Sequence, residues 1–273
     1  MPNSINTNMG AMVALQNLNS TTSDLFTTQN RISTGKRVNS AKDNGAIWAI
    51  AQNQRAASNS YNAVKESLSR GQSTVDVALA GGEAVSDLLI QMKEKALSAS
   101  DSSLDAASRT ALNDDFKALR DQLTKSVNNA TFNGINMIKA AGTTIAALAD
   151  DTGASKLTIA AQNLSLVGIG LTAASSIGTQ TIATAMITTV NTAIATVSTA
   201  LAKLGTGSRT LSSHLTFVGK LQDSIDSGVG NLVDADLARE SAKLTALQTK
   251  QQLGIQALSI ANSSSQSLLG LFR

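Results

Sequence analysis

Cysteine is missing from this sequence of 273 residues, and proline occurs once, at Pro2. Without thiols there is no disulfide, no thiolate metal site and no cysteine nucleophile. Without proline beyond position 2, nothing forces a helix to break. Aromatic side chains make up only 3% of the chain against 42% hydrophobic residues. Ala, Leu, Val and Ile therefore supply the apolar surface, and such side chains suit narrow helix–helix seams better than a thick globular core. His214 is the single histidine. A His-Glu-x-x-His zinc site needs two. His214 also falls inside a helical apolar pattern beside Leu211, Leu215 and Val218, a poor setting for a Ser-His-Asp arrangement. No glycine-rich loop ends in Lys followed by Ser or Thr, the pattern of a phosphate-binding loop. The reading is of a chain that is not an enzyme, with no catalytic, cofactor-binding or metal residue.

Charge is sparse as well. Charged residues are 15% of the chain and the net charge is +3. No Lys/Arg cluster is interleaved with aromatics, so a nucleic-acid partner is not expected. Met1 to Asn8 lacks the basic-then-apolar build of a cleaved signal sequence, so export, if it occurs, is expected to use a route without one. The charge-free run from Leu157 to Ala202 is the membrane candidate. Its second half carries Thr184, Thr188, Thr189, Asn191, Thr192, Thr196, Ser198 and Thr199, too many polar groups for a spanning helix.

What the sequence does have is a period. From Ile47 to Ala96, steps of three and four meet Ile50, Ala57, Tyr61, Val64, Leu68, Val75, Ala78, Val85, Leu89 and Met92, with Gln54, Gly71 and Gly82 as off-beats. That seam stays in phase for roughly seven heptads, as coiled-coil packing requires. At about 1.5 Å per residue such a helix spans roughly 75 Å, so it needs partner helices of similar length. The period returns from about Met186 through Val190, Ile194, Val197, Leu201, Leu204, Leu211, Leu215, Val218, Ile225, Val229 and Leu232. Between the two lies a shorter helix over 107–129, with Leu112, Phe116, Leu119, Leu123 and Val127 on one face, closed by the turn dipeptide Asn133-Gly134. Within 139–180, Lys156–Ile159 and Leu164–Val167 read as two short strands turning at Gln162-Asn163. Gly81-Gly82 inside the long helix predicts close helix packing or a local bend.

Both ends carry thinner stripes. Leu15, Leu18, Leu25 and Ile32 fall on one seam of an N-terminal helix, with Thr22 and Gln29 as polar steps. Leu244, Leu247, Leu253, Ile260, Leu268 and Leu271 do the same at the C-terminus. Alone, each buries little apolar area, so these ten residues are the expected polymerisation interface. Arg31, Gly35, Arg37, Asn39, Lys42 and Asp43 lie in a polar, basic connector where the period stops. The expected fold is mainly α: a long antiparallel coiled-coil-like bundle with paired terminal helices and a small β-hairpin region in the middle. Its expected divisions are 1–34 with 238–273, a connector at 35–46, a long-helix region at 47–138 with 181–237, and an outer region at 139–180. Helical ends that need covering point to head-to-tail or lateral self-assembly.

These residues resemble bacterial flagellin. The likeness is carried by Ile5-Asn6-Thr7-Asn8, by the run from Arg31 through Gly35 to Asp43, and by Thr131-Phe132-Asn133-Gly134. It continues in Asn231-Leu232-Val233-Asp234-Ala235-Asp236, Gln251-Gln252 and the ending Ser267 to Arg273. The resemblance implies arms that form the inner tube of a hollow filament, and a long-helix bundle that forms the next shell. It also implies signal-free type III export and an extracellular place in the flagellar filament. The implied partners are further copies, sister flagellins, an export chaperone covering the C-terminal seam, and filament cap and hook-junction proteins, without membrane or cofactor. The family's large outer domains look absent, since only about 40–50 residues stand in the middle. Serines and threonines within 143–213 would be glycan acceptors if the chain is a glycoprotein. In the stretch matching the family's immune-receptor helix, Gln91 stands for a usual Arg and Lys95 for a usual Leu. Alternatives of other kinds are a hook–filament junction protein and a secreted type III coiled-coil translocator or effector.

Overall fold

The computed structural model describes residues 7–270, with side chains described as far as Ser263. Five helices and one hairpin make up the fold of the described residues. They are α1 (Met9–Thr34), α2 (Gly45–Ala99), α3 (Ala106–Asn129), β1 (Ile145–Leu148), β2 (Lys156–Ile159), α4 (Gln180–Val233) and α5 (Leu237–Gly270), with a 3₁₀ turn at Val167–Ile169 before α4. The chain divides into two compact units, one of residues 57–223 and one joining the two ends up to residue 56 and from residue 224.

In the unit of residues 57–223, the heptad seam of α2 becomes the core. Val64, Leu68, Val75, Ala78, Val85, Leu89, Met92 and Ala96 are buried. They meet Phe116, Leu123 and Val127 of α3 and Val190, Val197, Leu204, Leu211 and Val218 of α4 in one continuous cluster. Each fully buried Leu, Val or Phe contributes about 1.5–3 kcal/mol. The α2 and α4 segments run antiparallel here. Lys65 donates to Gln222 at 2.5 Å, and Ser208 donates to Asp76 at 3.3 Å. By length and composition α4 could cross a membrane. In this structure its stripe of Val190, Val197, Leu204, Leu211 and Val218 is buried, and Thr192, Thr196 and Thr199 each donate to the carbonyl four residues earlier.

The turn from α2 to α3 is closed by Arg109, which donates to the carbonyls of Ala99, Asp101 and Leu104. Those are oxygens that a helix end and loop would otherwise leave unmatched. Asp105 caps α3 by accepting from the Ser108 amide at 3.3 Å. Asn133 and Gly134 both have positive φ, 50° and 77°, and make the tight turn between the bridged pair Phe132 and Ile135. Buried Asn136 then anchors the chain, donating to the Val127 carbonyl and accepting from the Ile138 and Lys139 amides.

The hairpin differs from the expectation. Lys156–Ile159 is a strand, but it pairs antiparallel with Ile145–Leu148, and Leu164–Val167 is not a strand. Two side chains decide this. Asp150 accepts from Thr152 and from the Ser155 amide, and Gly153 takes φ 73°, so the tight turn falls before Lys156. Asn163 accepts from the Ser165 amide and hydroxyl, which curls the backbone away from a ladder. His214 belongs to the same arrangement. Its Nε2 lies 2.8 Å from the Ala149 carbonyl, which can only accept, so Nε2 carries the hydrogen and ties α4 to the hairpin.

Gly81 and Gly82 mark close packing. A Cβ on Gly81 would lie 2.7 Å from Ala130 Cβ, and one on Gly82 would lie 2.6 Å from Leu201 Cδ2. Around Gly205 nothing lies within 4 Å. The substitution Gly81→Ala is expected to destabilise by about 1–3 kcal/mol through overpacking, although alanine favours the helix. Gly205→Ala, free of contacts, is expected to stabilise by about 0.5–1 kcal/mol. Urea unfolding followed by circular dichroism checks both signs.

Candidate assembly interface

The other unit holds the two end helices. They pair antiparallel: Asn8 donates to the Ala261 carbonyl at 2.8 Å, Gln251 to the Thr22 hydroxyl at 3.5 Å, and Arg31 to Glu240 at 3.2 Å. A regular heptad lies between them. On α1 the less exposed positions are Ala11, Ala14, Leu18, Thr21, Leu25, Thr28 and Ile32, with Arg31 beside the last; on α5 they are Glu240, Leu244, Leu247, Gln251, Gly254, Leu258 and Ala261.

This seam is poor in apolar contact. Among the described residues of the two helices, four side chains are buried: Thr21, Thr28, Glu240 and Leu247. Leu247 is the one hydrophobic residue of the four. The Thr28 hydroxyl and the second Glu240 oxygen are buried without a hydrogen-bond partner, which costs stability. A groove of about 410 Å³ runs beside the seam, lined by Gly10, Ala14, Leu18, Gly254 and Ala257 among others.

The apolar side chains are elsewhere. Met12, Leu15 and Phe26 of α1 are 56%, 48% and 65% exposed, and Leu253 and Ile260 of α5 are 59% and 69% exposed. Met9, Val13 and Ile255 are exposed with them. Of the ten residues expected at the interface, Leu18, Leu25, Ile32, Leu244 and Leu247 line the seam inside one chain, Leu15 and Ile260 are exposed outside it, and Leu253, also exposed, borders the groove beside it. The Leu268 side chain and Leu271 lie outside the described residues. The steps expected at Thr22 and Gln29 are exposed, and Thr21 and Thr28 take the seam instead. Apolar side chains on several faces of both helices hide their phase from sequence, which is why Met9, Met12, Val13 and Phe26 of α1 and Ile255 of α5 were not legible as candidates.

The connector is an ordered joint. Gly35 ends α1 in the left-handed conformation, φ 68°, as helix C-termini favour. The Arg37 and Val38 amides donate to the Val233 carbonyl, and the Arg37 guanidinium donates to the Leu232 carbonyl at 2.9 Å. Val38, Ala51, Val229 and Val233 form a small buried cluster, with Trp48 half-buried against it. Asp43 holds the loop, its carboxylate accepting from the Asn39 and Ser40 amides at 3.0 and 2.9 Å. Those amide hydrogen bonds, Ser40 first and Asn39 second, hold the Asp43 carboxyl below the usual carboxylate range. Lys42 is exposed. On α2, Gln91 is exposed and Lys95 pairs with Asp115 of α3 at 2.8 Å. That hydrogen bond raises the lysine's pKa.

Among the described residues no group of histidine, aspartate and glutamate side chains is placed to hold a metal ion. The geometry offers surface for helix packing: bare apolar faces beside a thin seam.

Two family models match this chain. The bacterial flagellin N-terminal helical region covers residues 5–143, and the bacterial flagellin C-terminal helical region covers residues 187–272. Flagellin FljM of Caulobacter vibrioides is 62% identical over 271 residues, 99% of each chain. Flagellin FljK of the same bacterium is also 62% identical over 271 residues and 99% of each chain. Among solved structures, a putative flagellar hook-associated protein from Vibrio parahaemolyticus superposes with a TM-score of 0.54 at 14% identity. That match covers 70% of this chain and all of the other, a likeness of fold alone.

The Asp43 geometry predicts an acid-sensitive joint. Its folded-state pKa lies below the ordinary 3.8, so its contribution is present above that value and is lost as pH falls through the depressed one. Hydrogen exchange at the Asn39 and Ser40 amides, corrected for intrinsic rate, should show protection lost on acidification. Asp43→Asn should show weak protection at every pH.

Proposed function

This chain belongs to the bacterial flagellin family, and from that membership we infer that it is a structural subunit of the extracellular bacterial flagellar filament, made to polymerise for swimming motility. One observation supports polymerisation most directly: the large apolar side chains Met12, Leu15, Phe26, Leu253 and Ile260 stand exposed on helices whose shared seam, among the described residues, buries a single hydrophobic one. Apolar surface of that kind is stabilised when neighbouring copies cover it, at about 25 cal/mol per Å² removed from water. The absence of any catalytic arrangement in the sequence reading accords with a structural part.

The arms, 1–34 with 238–273, then form the inner tube. The connector at 35–46 joins them to the long-helix region, 47–138 with 181–237, and 139–180 lies outermost. The polymerisation surface comprises Leu15, Leu253 and Ile260 on the outward faces. Leu18, Leu25, Ile32, Leu244 and Leu247 hold the arms together, and Leu268 and Leu271 belong to the same proposed interface. Self-association is accompanied by sister flagellins, a reading supported by the near-equal likeness to two flagellins of one bacterium. Before assembly, an export chaperone covers the C-terminal arm, and cap and hook-junction proteins receive the chain at the filament ends. Exposed hydroxyls within 143–213 serve as glycan acceptors. Identity of 62% with flagellins along the whole length favours this reading over a junction protein or a secreted translocator.

The expected outcome of the triple change Leu15→Ser, Leu253→Ser and Ile260→Ser is loss of filaments in electron micrographs, with far-ultraviolet circular dichroism nearly unchanged. Deleting residues 1–30 should also abolish filaments. Normal filaments from either variant would contradict the proposed surface.

A further inference from the structure

In the unit of residues 57–223, two helices turn faces of opposite charge to the outside. On α2, Glu83, Asp87, Ile90, Glu94 and Leu97 recur at steps of three and four. Helical geometry puts them opposite the buried Val85, Leu89, Met92 and Ala96. All five are exposed, Ile90 at 55% and Leu97 at 60%. On α4, Arg209, Ser213 and Lys220 stand opposite the buried Leu204, Leu211 and Val218, with exposed Phe217 and Lys203 beside them. From Gln180 to Gln222 that helix carries no acid. Among the described residues, none of Glu83, Asp87, Glu94, Lys203, Arg209 and Lys220 belongs to an ion pair.

The faces match in spacing as well as in sign. Glu83 and Glu94 are 11 residues apart, and so are Arg209 and Lys220. That interval is about three helical turns, so both members of each set face the same way. In antiparallel alignment Glu83 meets Lys220 and Glu94 meets Arg209. Ile90 then falls at Ser213, and Phe217 falls between the levels of Glu83 and Ile90. Lys93 and Asp223 stand at the edges of the two faces, outside these pairs. One chain cannot make this contact with itself. Gly82 lies against Leu201, so Lys220 is about 19 residues of helix, roughly 28 Å, beyond the level of Glu83.

We propose that the acidic face of α2 in one copy of this chain docks on the basic face of α4 in the next, Glu83 against Lys220 and Glu94 against Arg209, with Ile90, Leu97 and Phe217 covered beside them. Because α2 and α4 are antiparallel within a chain, copies lying in the same direction present the two faces antiparallel, as the pairing needs. The second copy is then displaced by about 28 Å along the helices. The contact is heterologous, so each copy keeps a free face of each kind for further copies. Exposed ion pairs alone contribute little. Here the apolar side chains supply the covered area, and the charges decide which face meets which. The proposal rests on the assembly reading above and adds a contact outside the arms that sets direction and step between copies.

Carbodiimide treatment of filaments of the unmodified, full-length chain tests the pairing. The reagent joins a carboxylate to an amine as an amide and takes up the lost water as its urea. Peptide mass spectrometry should find Glu83 joined to Lys220, a link whose span is too long to close within one chain. Charge reversal tests its weight. Glu83→Lys/Glu94→Lys and Arg209→Glu/Lys220→Glu should each raise the protein concentration needed for filaments at least about tenfold, since like charges then meet at two places, with circular dichroism unchanged. Mixing the two variants should restore filaments that contain both in equal amounts, because each face again meets its opposite. A merely structural role cannot be rescued by a second defective chain. Filaments of the unmodified chain without the Glu83–Lys220 link, or variants that polymerise normally alone, would overturn this contact and leave the arm reading standing. Variants that fail even when mixed would overturn it too. An unmodified chain that forms no filaments would overturn the assembly reading and this contact with it.

Discussion

A helix with apolar side chains on more than one face cannot be covered by a single partner, and α5 is such a helix. One face, through Leu244, Leu247 and Leu258, lies against α1; Leu253, Ile255 and Ile260 face elsewhere. The same holds for α1, whose Met12, Leu15 and Phe26 are outside the seam. Apolar area left in water is free energy not yet gained, and for these helices more of it lies outside the seam than within. The ends of the chain therefore depend on surfaces that the chain itself does not provide.

The unit of residues 57–223 shows the opposite balance. Its three helical segments present narrow stripes that meet in one cluster, and its glycines at 81 and 82 let neighbouring side chains approach within contact distance. Its buried asparagines are satisfied, Asn136 by two carbonyls and two amides and Asn113 by the Ile177 amide, although one Asp150 carboxylate oxygen is buried without a partner. The arm seam buries polar groups without that provision at Thr28 and Glu240. A self-sufficient middle and insufficient ends suit a subunit whose folding is completed by neighbours. The connector is held within the unit of the two ends by Asp43, Arg37 and the small Val38 cluster.

Much of this could be read from the residues. The heptads of α2 and α4 carry one stripe each, so period alone set their faces, and Val64, Leu68, Leu89, Val197 and Leu211 are buried as that period requires. The Gly81-Gly82 reading also followed from pattern, as close packing, whereas the hydrogen bond from His214 to the Ala149 carbonyl has no signal in the period. The arms were less legible because Ala, Thr and Gly share their seam with Leu18, Leu25, Leu244, Leu247 and Leu258, while Leu15 and Leu253 are exposed, so leucines alone do not mark the phase of either helix. The strand at Ile145–Leu148 was hidden for a different reason: its partner is selected by the Asp150 and Gly153 turn, a side-chain effect that alternation does not record.

The account's central claim is that outward arm faces are bare in the dispersed chain and covered in the polymer. Methionine oxidation reads this directly, because sulfoxide formation follows exposure. Met9 and Met12 are 60% and 56% exposed, whereas Met92 and Met137 are fully buried. Peptide mass spectrometry after brief peroxide treatment should show Met9 and Met12 oxidised in the dispersed protein and protected in filaments, with Met92 and Met137 protected in both. Equal oxidation of Met9 and Met12 before and after polymerisation would contradict the claim.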